Sequence, residues 1–128
     1  MVAAITRQIE VTVEAGYDPE MSKPEAGVYI FRYYIHIKNS GTESVQLLSR
    51  NWMITDGMGN HREVRGAGVV GYQPDLAPGV TFEYGSYCPL SFPVGKMQGT
   101  YGFVRLSDGE PFDVKIPEFL LEAPFFRN

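Results

Sequence analysis

This sequence predicts an all-β sandwich built from two antiparallel sheets, and three observations carry that reading. Apolar and polar residues alternate at period two in several segments, which gives a strand one buried face and one wet face. Turn residues punctuate these segments often enough to make seven or more short strands. Nowhere do apolar residues follow a 3.6 period over three turns, so no amphipathic helix competes.

The row Ile5, Ile9, Val11, Val13, interrupted by Arg7, predicts a first strand over residues 5–13. Residues 16–27 carry Pro19, Pro24 and mixed charges without periodicity, which makes them a loop, long for a hairpin connection. Residues 28–39 are the clearest strand. Tyr29, Phe31, Tyr33, Ile35 and Ile37 share one face, and Arg32, Tyr34, His36 and Lys38 share the other. Asn39-Ser40-Gly41-Thr42 supplies turn chemistry. A strand follows over 45–55, with a bulge expected around Ser49 to Asn51, where the alternation slips. Asp56-Gly57-Met58-Gly59-Asn60 then turns tightly into 61–65 and completes a hairpin. Val80, Phe82, Tyr84, Ser86 and Cys88 mark a further strand, and 89–95 is broken by Pro89, Pro93 and Gly95. Segments 98–106 and 111–116 flank Ser107-Asp108-Gly109-Glu110, a second hairpin signal. Phe119, Leu120 and Leu121, in the tail 117–124, are expected to cover one end of the core.

At 128 residues the chain is one domain, 1–128, large enough to bury a core without disulfide or metal staples. The single cysteine, Cys88, has no partner within the chain, and no apolar signal segment opens the sequence; both point to a reducing cytoplasm. Apolar runs fall far short of the ~20 residues a membrane helix needs, so no direct membrane insertion is expected. Eleven Lys and Arg against fifteen Asp and Glu give a formal charge of −4, which argues against nucleic-acid binding.

The chain is organised around residues 66–79, a glycine- and proline-rich crossing between strand-like segments. Its start, Gly66-Ala67-Gly68-Val69-Val70-Gly71, spells G-x-G-x-x-G. In a dinucleotide-binding fold that motif closes a strand and opens a helix whose N-terminus holds pyrophosphate. Here Pro74, Pro78 and Gly79 follow within eight residues, and they leave no room for such a helix. Two readings remain. The glycines permit a bulge or left-handed backbone, which is favoured, or they form a backbone nest that grips an anion. Arg50, Arg62 and Arg65 are the charges best placed in sequence to assist a nest.

Other constellations are weaker. His36 and His61 have no second ligand at a metal-like spacing. Asp56 and Glu63 could offer oxygens to a cation across their hairpin, although a turn role explains Asp56 better. Cys88 is best read as a buried or incidental thiol. Trp52, the lone tryptophan, fits a core anchor better than an exposed recognition residue. With no paired acid, base or nucleophile, no enzymatic activity, metal or cofactor is expected.

Residues 49–56 (Ser-Arg-Asn-Trp-Met-Ile-Thr-Asp), Glu63-Val64, the glycine stretch through Gln73-Pro74 and Leu76, and Pro78-Gly79 resemble the ApaG family. Phe82, Tyr84, Ser86, Met97-Gln98-Gly99-Thr100-Tyr101 and Ile116-Pro117-Glu118-Phe119 extend that resemblance over residues 5–125. Asn51 departs from the His or Tyr of the family pattern, which leaves position 51 a poor metal ligand. The resemblance implies an immunoglobulin-like or fibronectin type III-like sandwich, an association with cobalt and magnesium resistance, and a protein-binding role. The family's G-x-G-x-x-G has been likened to a pyrophosphate-binding loop, and Gly66, Gly68 and Gly71 keep it here.

The resulting expectation is a cytoplasmic, non-enzymatic module that binds another protein. Its candidate surface is Gly66, Gly68, Gly71, Gln73 and Pro74 with neighbouring Arg50, Trp52 and Arg65. The alternative is a nucleotide, pyrophosphate or other phosphate-bearing small molecule held by the same loop. An exposed edge strand would also allow a homodimer.

Overall fold

The alternation is realised as nine strands among the described residues, which in this computed structural model are 1–127. Strands β1 (Val2–Thr6), β2 (Ile9–Tyr17), β3 (Tyr29–Asn39) and β7 (Thr81–Leu90) form one antiparallel sheet in the order β1-β2-β3-β7. Strands β4 (Val45–Asp56), β5 (His61–Ala67), β8 (Val94–Arg105) and β9 (Pro111–Glu122) form the other, in the order β5-β4-β8-β9. The two-residue β6 (Asp75–Leu76) also pairs with β4. β2-β3-β7 facing β5-β4-β8-β9 reproduces the A-B-E and C′-C-F-G order of immunoglobulin-like sandwiches, with β1 added outside β2.

The inner faces meet in one apolar core. Phe31, Ile35 and Ile37 from β3 pack against Leu47 and Trp52 from β4 and Tyr101 and Phe103 from β8, all buried. Each side chain of this size contributes roughly 1.5–3 kcal/mol by leaving water. Trp52 stands edge-on to Tyr33, Tyr101 and Phe119, so it ties the two sheets together. Along one side of the sandwich the Lys115 N–H donates to Thr6 Oγ1 at 3.2 Å, linking β9 to β1. Along the other, Arg62 reaches from β5 and donates to the Pro89 carbonyl of β7 at 2.6 Å.

Three segments differ from the sequence expectation. Residues 5–13 are two strands, because Arg7 and Gln8 take φ of 47° and 67° and reverse the chain. The reversal puts Ile5 opposite Glu10, on the solvent side of its sheet and 67% exposed. Of the tail residues expected to cover the core, Phe119 and Leu121 do join it, but as part of a strand: residues 117–122 complete β9 behind a register shift at Pro117, which leaves Leu120 outside. Proline is tolerated there because a bulge leaves a residue out of the ladder. The break at 89–95 is shorter than expected, with β7 running through Pro89 to Leu90 and β8 starting at Val94. The hairpins at 56–60 and 107–110 form as read, and the bulge in β4 falls at Leu48, just before the expected place. Among the described residues no helix is long and apolar enough to cross a membrane.

Candidate functional site

The crossing at 66–79 leaves the second sheet at the end of β5, touches β4 again as β6, and enters the first sheet as β7. Its shape is set by the Leu48 carbonyl, which lies at the β4 bulge and faces the crossing. That oxygen accepts the Gly68 N–H at 2.8 Å and the Gln73 side-chain amide at 2.9 Å. Val69 and Tyr72 then bond each other reciprocally, N–H to carbonyl, both at 2.8 Å. Val70 and Gly71, between them, have φ of 42° and 86°, the left-handed pair of a tight primed turn. Gln46 and Leu47 of β4 fasten the far side, donating to the Gln73 and Pro74 carbonyls at 3.1 Å each.

The three motif glycines serve three different purposes. A β-carbon at Gly68 would stand 2.2 Å from the Tyr72 carbonyl oxygen, so only glycine fits beneath that turn. Gly71 has open space around it and is needed for its φ. Gly66 leaves room for the Arg50 guanidinium, which lies over it and donates from Nη1 to the Ala67 and Gly68 carbonyls at 3.0 Å each. Arg50 thus comes to the crossing but addresses its carbonyls, not its amides.

The structure separates the remaining sequence candidates. Trp52 is 3% exposed and presents nothing to a partner, so its place on the recognition surface gives way to the core role. Arg65 lies on the opposite face of β5 from Gly66 and pairs with Glu63 at 3.0 Å. Arg62 is anchored on Pro89. Gln73 and Pro74 belong to the crossing as read. Asp56 and Glu63 do not meet: Asp56 accepts from Met58, Asn60 and the Asn60 amide within its turn, while Glu63 faces Met53. Among the described residues no three His, Cys, Asp or Glu side chains gather in one place.

What sequence reasoning missed is the turn's tip. Val70 and Tyr72 stand in solvent, 49% and 62% exposed, on a backbone fixed from below. Tyr72 starts an aromatic series running inward through Phe82 to Tyr84, with ring centroids 6.1 and 6.2 Å apart. Tyr84 shares a hydrogen bond with Tyr101 inside the core. Burial raises the pKa of both hydroxyls and of Tyr33, whose bond with Ser86 opposes that rise, so these groups stay protonated at neutral pH. Burial likewise pushes up the Cys88 thiol, against the pull of Arg62. A buried neutral thiol is inert, in keeping with an incidental role.

Fold and site together define a β-sandwich of immunoglobulin-like order whose sheet-to-sheet crossing is a braced, solvent-facing turn. The ApaG domain model matches residues 19–105, and the chain belongs to the ApaG family. The Protein ApaG of Bradyrhizobium sp. (strain ORS 278) is 52% identical over 124 residues, 97% of this chain and 95% of that one. The Protein ApaG of Rhodospirillum centenum is 48% identical over 128 residues, 100% and 98% of the two chains. The crystal structure of the putative ApaA protein from Bordetella pertussis superposes with a TM-score of 0.87 at 52% identity, covering 91% of this chain and 94% of that one.

Proposed function

We propose that this chain is a non-enzymatic, cytoplasmic module that binds another protein through the tip of the crossing at 66–79. The observation that carries the reading is the exposed Val70 and Tyr72 on a turn whose backbone is braced by Leu48 and Arg50. A rigid, half-exposed aromatic with few rotamers to lose is the residue type that anchors protein interfaces. The tie to cobalt and magnesium resistance then runs through the partner, since among the described residues no three His, Cys, Asp or Glu side chains come together.

A phosphate-bearing ligand is the weaker reading. The N–H groups of Gly68, Val69 and Tyr72 already donate to protein carbonyls, and Arg50 is engaged by two more. An anion seated on those three amides and Arg50 would have to compete with these bonds. Two experiments divide the readings. Tyr72→Ala keeps the turn's backbone and removes its anchor, so partners recovered on the immobilised wild-type protein should be lost while the melting temperature holds. Recovery of the same partners by Tyr72→Ala would overturn the proposal. Pyrophosphate or ATP at millimolar concentration should leave the melting temperature flat; a dose-dependent rise would put the phosphate reading first.

A further inference from the structure

We infer that β5 is a self-complementary edge through which two copies of this chain associate, joining their second sheets about a twofold axis at Val64. This goes beyond the partner-binding reading, which uses the neighbouring turn and different side chains. The sheet edges differ in what they offer a second strand. β7 carries Pro89, β9 carries Pro111 and Pro117, and β1 is tied to β9 through Thr6. β5 has no proline and no bulge, pairs only with β4, and is exposed along its length except at half-buried Gly66. Such an edge is a template for another strand. Arg62, the inward charge that could obstruct one, is held aside by its bond to Pro89.

The ladder fixes which peptide groups are free. At one end of the hairpin the Asp56 N–H donates to Asn60; beyond the other end of β5 the Gly68 N–H donates to Leu48. Antiparallel alternation between these points turns the even-numbered residues of β5 toward β4 and leaves the N–H and C=O of Glu63 and Arg65 facing outward. A symmetric antiparallel pair must set one residue against its own copy, because opposed pairs alternate in type. Centring on Glu63 or on Arg65 brings like charges together. Centring on Val64 sets Glu63 against Arg65 of the second copy, twice, in the hydrogen-bonded positions. It also sets Val64, 37% exposed, against its own copy in the closer, non-hydrogen-bonded position. The exposed Glu63–Arg65 pair within one chain is thereby exchanged for two such pairs between chains.

The test is sedimentation equilibrium of wild type, Glu63→Arg, Arg65→Glu and an equimolar mixture of the two variants, with far-ultraviolet circular dichroism confirming each fold. Wild type should rise from the 14.3 kDa monomer toward twice that mass with concentration. Each variant opposes like charges at both symmetric positions, so its self-association should weaken at least about tenfold. The mixture should regain association, because Glu63 then meets Arg65 across one side and the substituted residues, again unlike in charge, meet across the other. Neither variant keeps an intrachain pair, so a merely local role for Glu63 and Arg65 cannot produce that recovery. A wild type that stays monomeric at millimolar concentration would overturn the proposal. So would variants that associate like wild type, or a mixture of folded variants that remains monomeric. Loss of partner capture by Tyr72→Ala would neither follow from these results nor rescue them.

Discussion

A β-carbon added at Gly68 would clash with the Tyr72 carbonyl, and the φ of 62° there is already left-handed. Gly68→Ala should therefore cost about 3 kcal/mol of stability, from clash and backbone strain together. Gly71→Ala, strained but unobstructed, should cost about 1 kcal/mol. Gly66→Ala displaces only the flexible end of Arg50 and should cost less still, roughly 0.5 kcal/mol. Urea midpoints of the three variants would check this order, and equal losses would contradict it. The motif was legible in the sequence, but its three separate reasons were not, because spacing does not say which glycine lies under a carbonyl and which under a guanidinium. Asp108 offers a second check. Arg105 Nε and Nη2 hold its carboxylate at 3.1 and 2.8 Å, the Glu110 N–H adds a third donor, and these bonds push its pKa down to about 2. A depressed carboxylate contributes stability that is present above its unfolded value, about 3.9, and is lost as pH falls through about 2. In Arg105→Gln the carboxyl titration followed by NMR should move up toward the ordinary range.

The elements divide by how each announced itself. β3 was plain because strict alternation from Tyr29 to Ile37 puts one side chain in two into the core, and its register with β2 and β7 is unbroken. The β1–β2 hairpin was hidden because its turn uses Arg7 and Gln8, where a primed turn ordinarily shows Asn-Gly. Gln8→Gly should relieve the left-handed strain and raise stability by about 0.5–1 kcal/mol, net of glycine's larger unfolded entropy. A measured loss would mean that the Gln8 side chain itself supports the turn. The end of β9 was hidden for the opposite reason. Pro117 looks like a strand breaker, yet the ladder shifts register around it and resumes with Phe119 opposite Met97. The β4 bulge was visible as a slip in the alternation, while the part played by the neighbouring Leu48 carbonyl, which organises a crossing twenty residues later, depends on tertiary contact alone.

For the whole molecule, the sandwich was legible from periodicity and turn spacing, whereas the surface that matters was narrowed only by seeing which groups the core consumes. Trp52, Tyr33, Tyr84 and Tyr101 lie inside, and the core keeps those tyrosine hydroxyls neutral. A raised folded-state pKa contributes stability that is complete below the unfolded tyrosine value, about 10, and is lost as pH rises above it. Stability should therefore fall in the alkaline range, and these three tyrosines should ionise, by ultraviolet absorbance, only as the fold opens. Reversible ionisation of all three near pH 10 in the folded protein would contradict this. The crossing remains the place where a braced backbone carries exposed side chains outward from that core. A photoreactive amino acid placed at position 72, and at exposed Leu106 as a control, tests its role in living cells. Recognition through the crossing predicts discrete adducts with a partner from position 72 and none from position 106; equal labelling from both positions, or adducts from 106 alone, would contradict it.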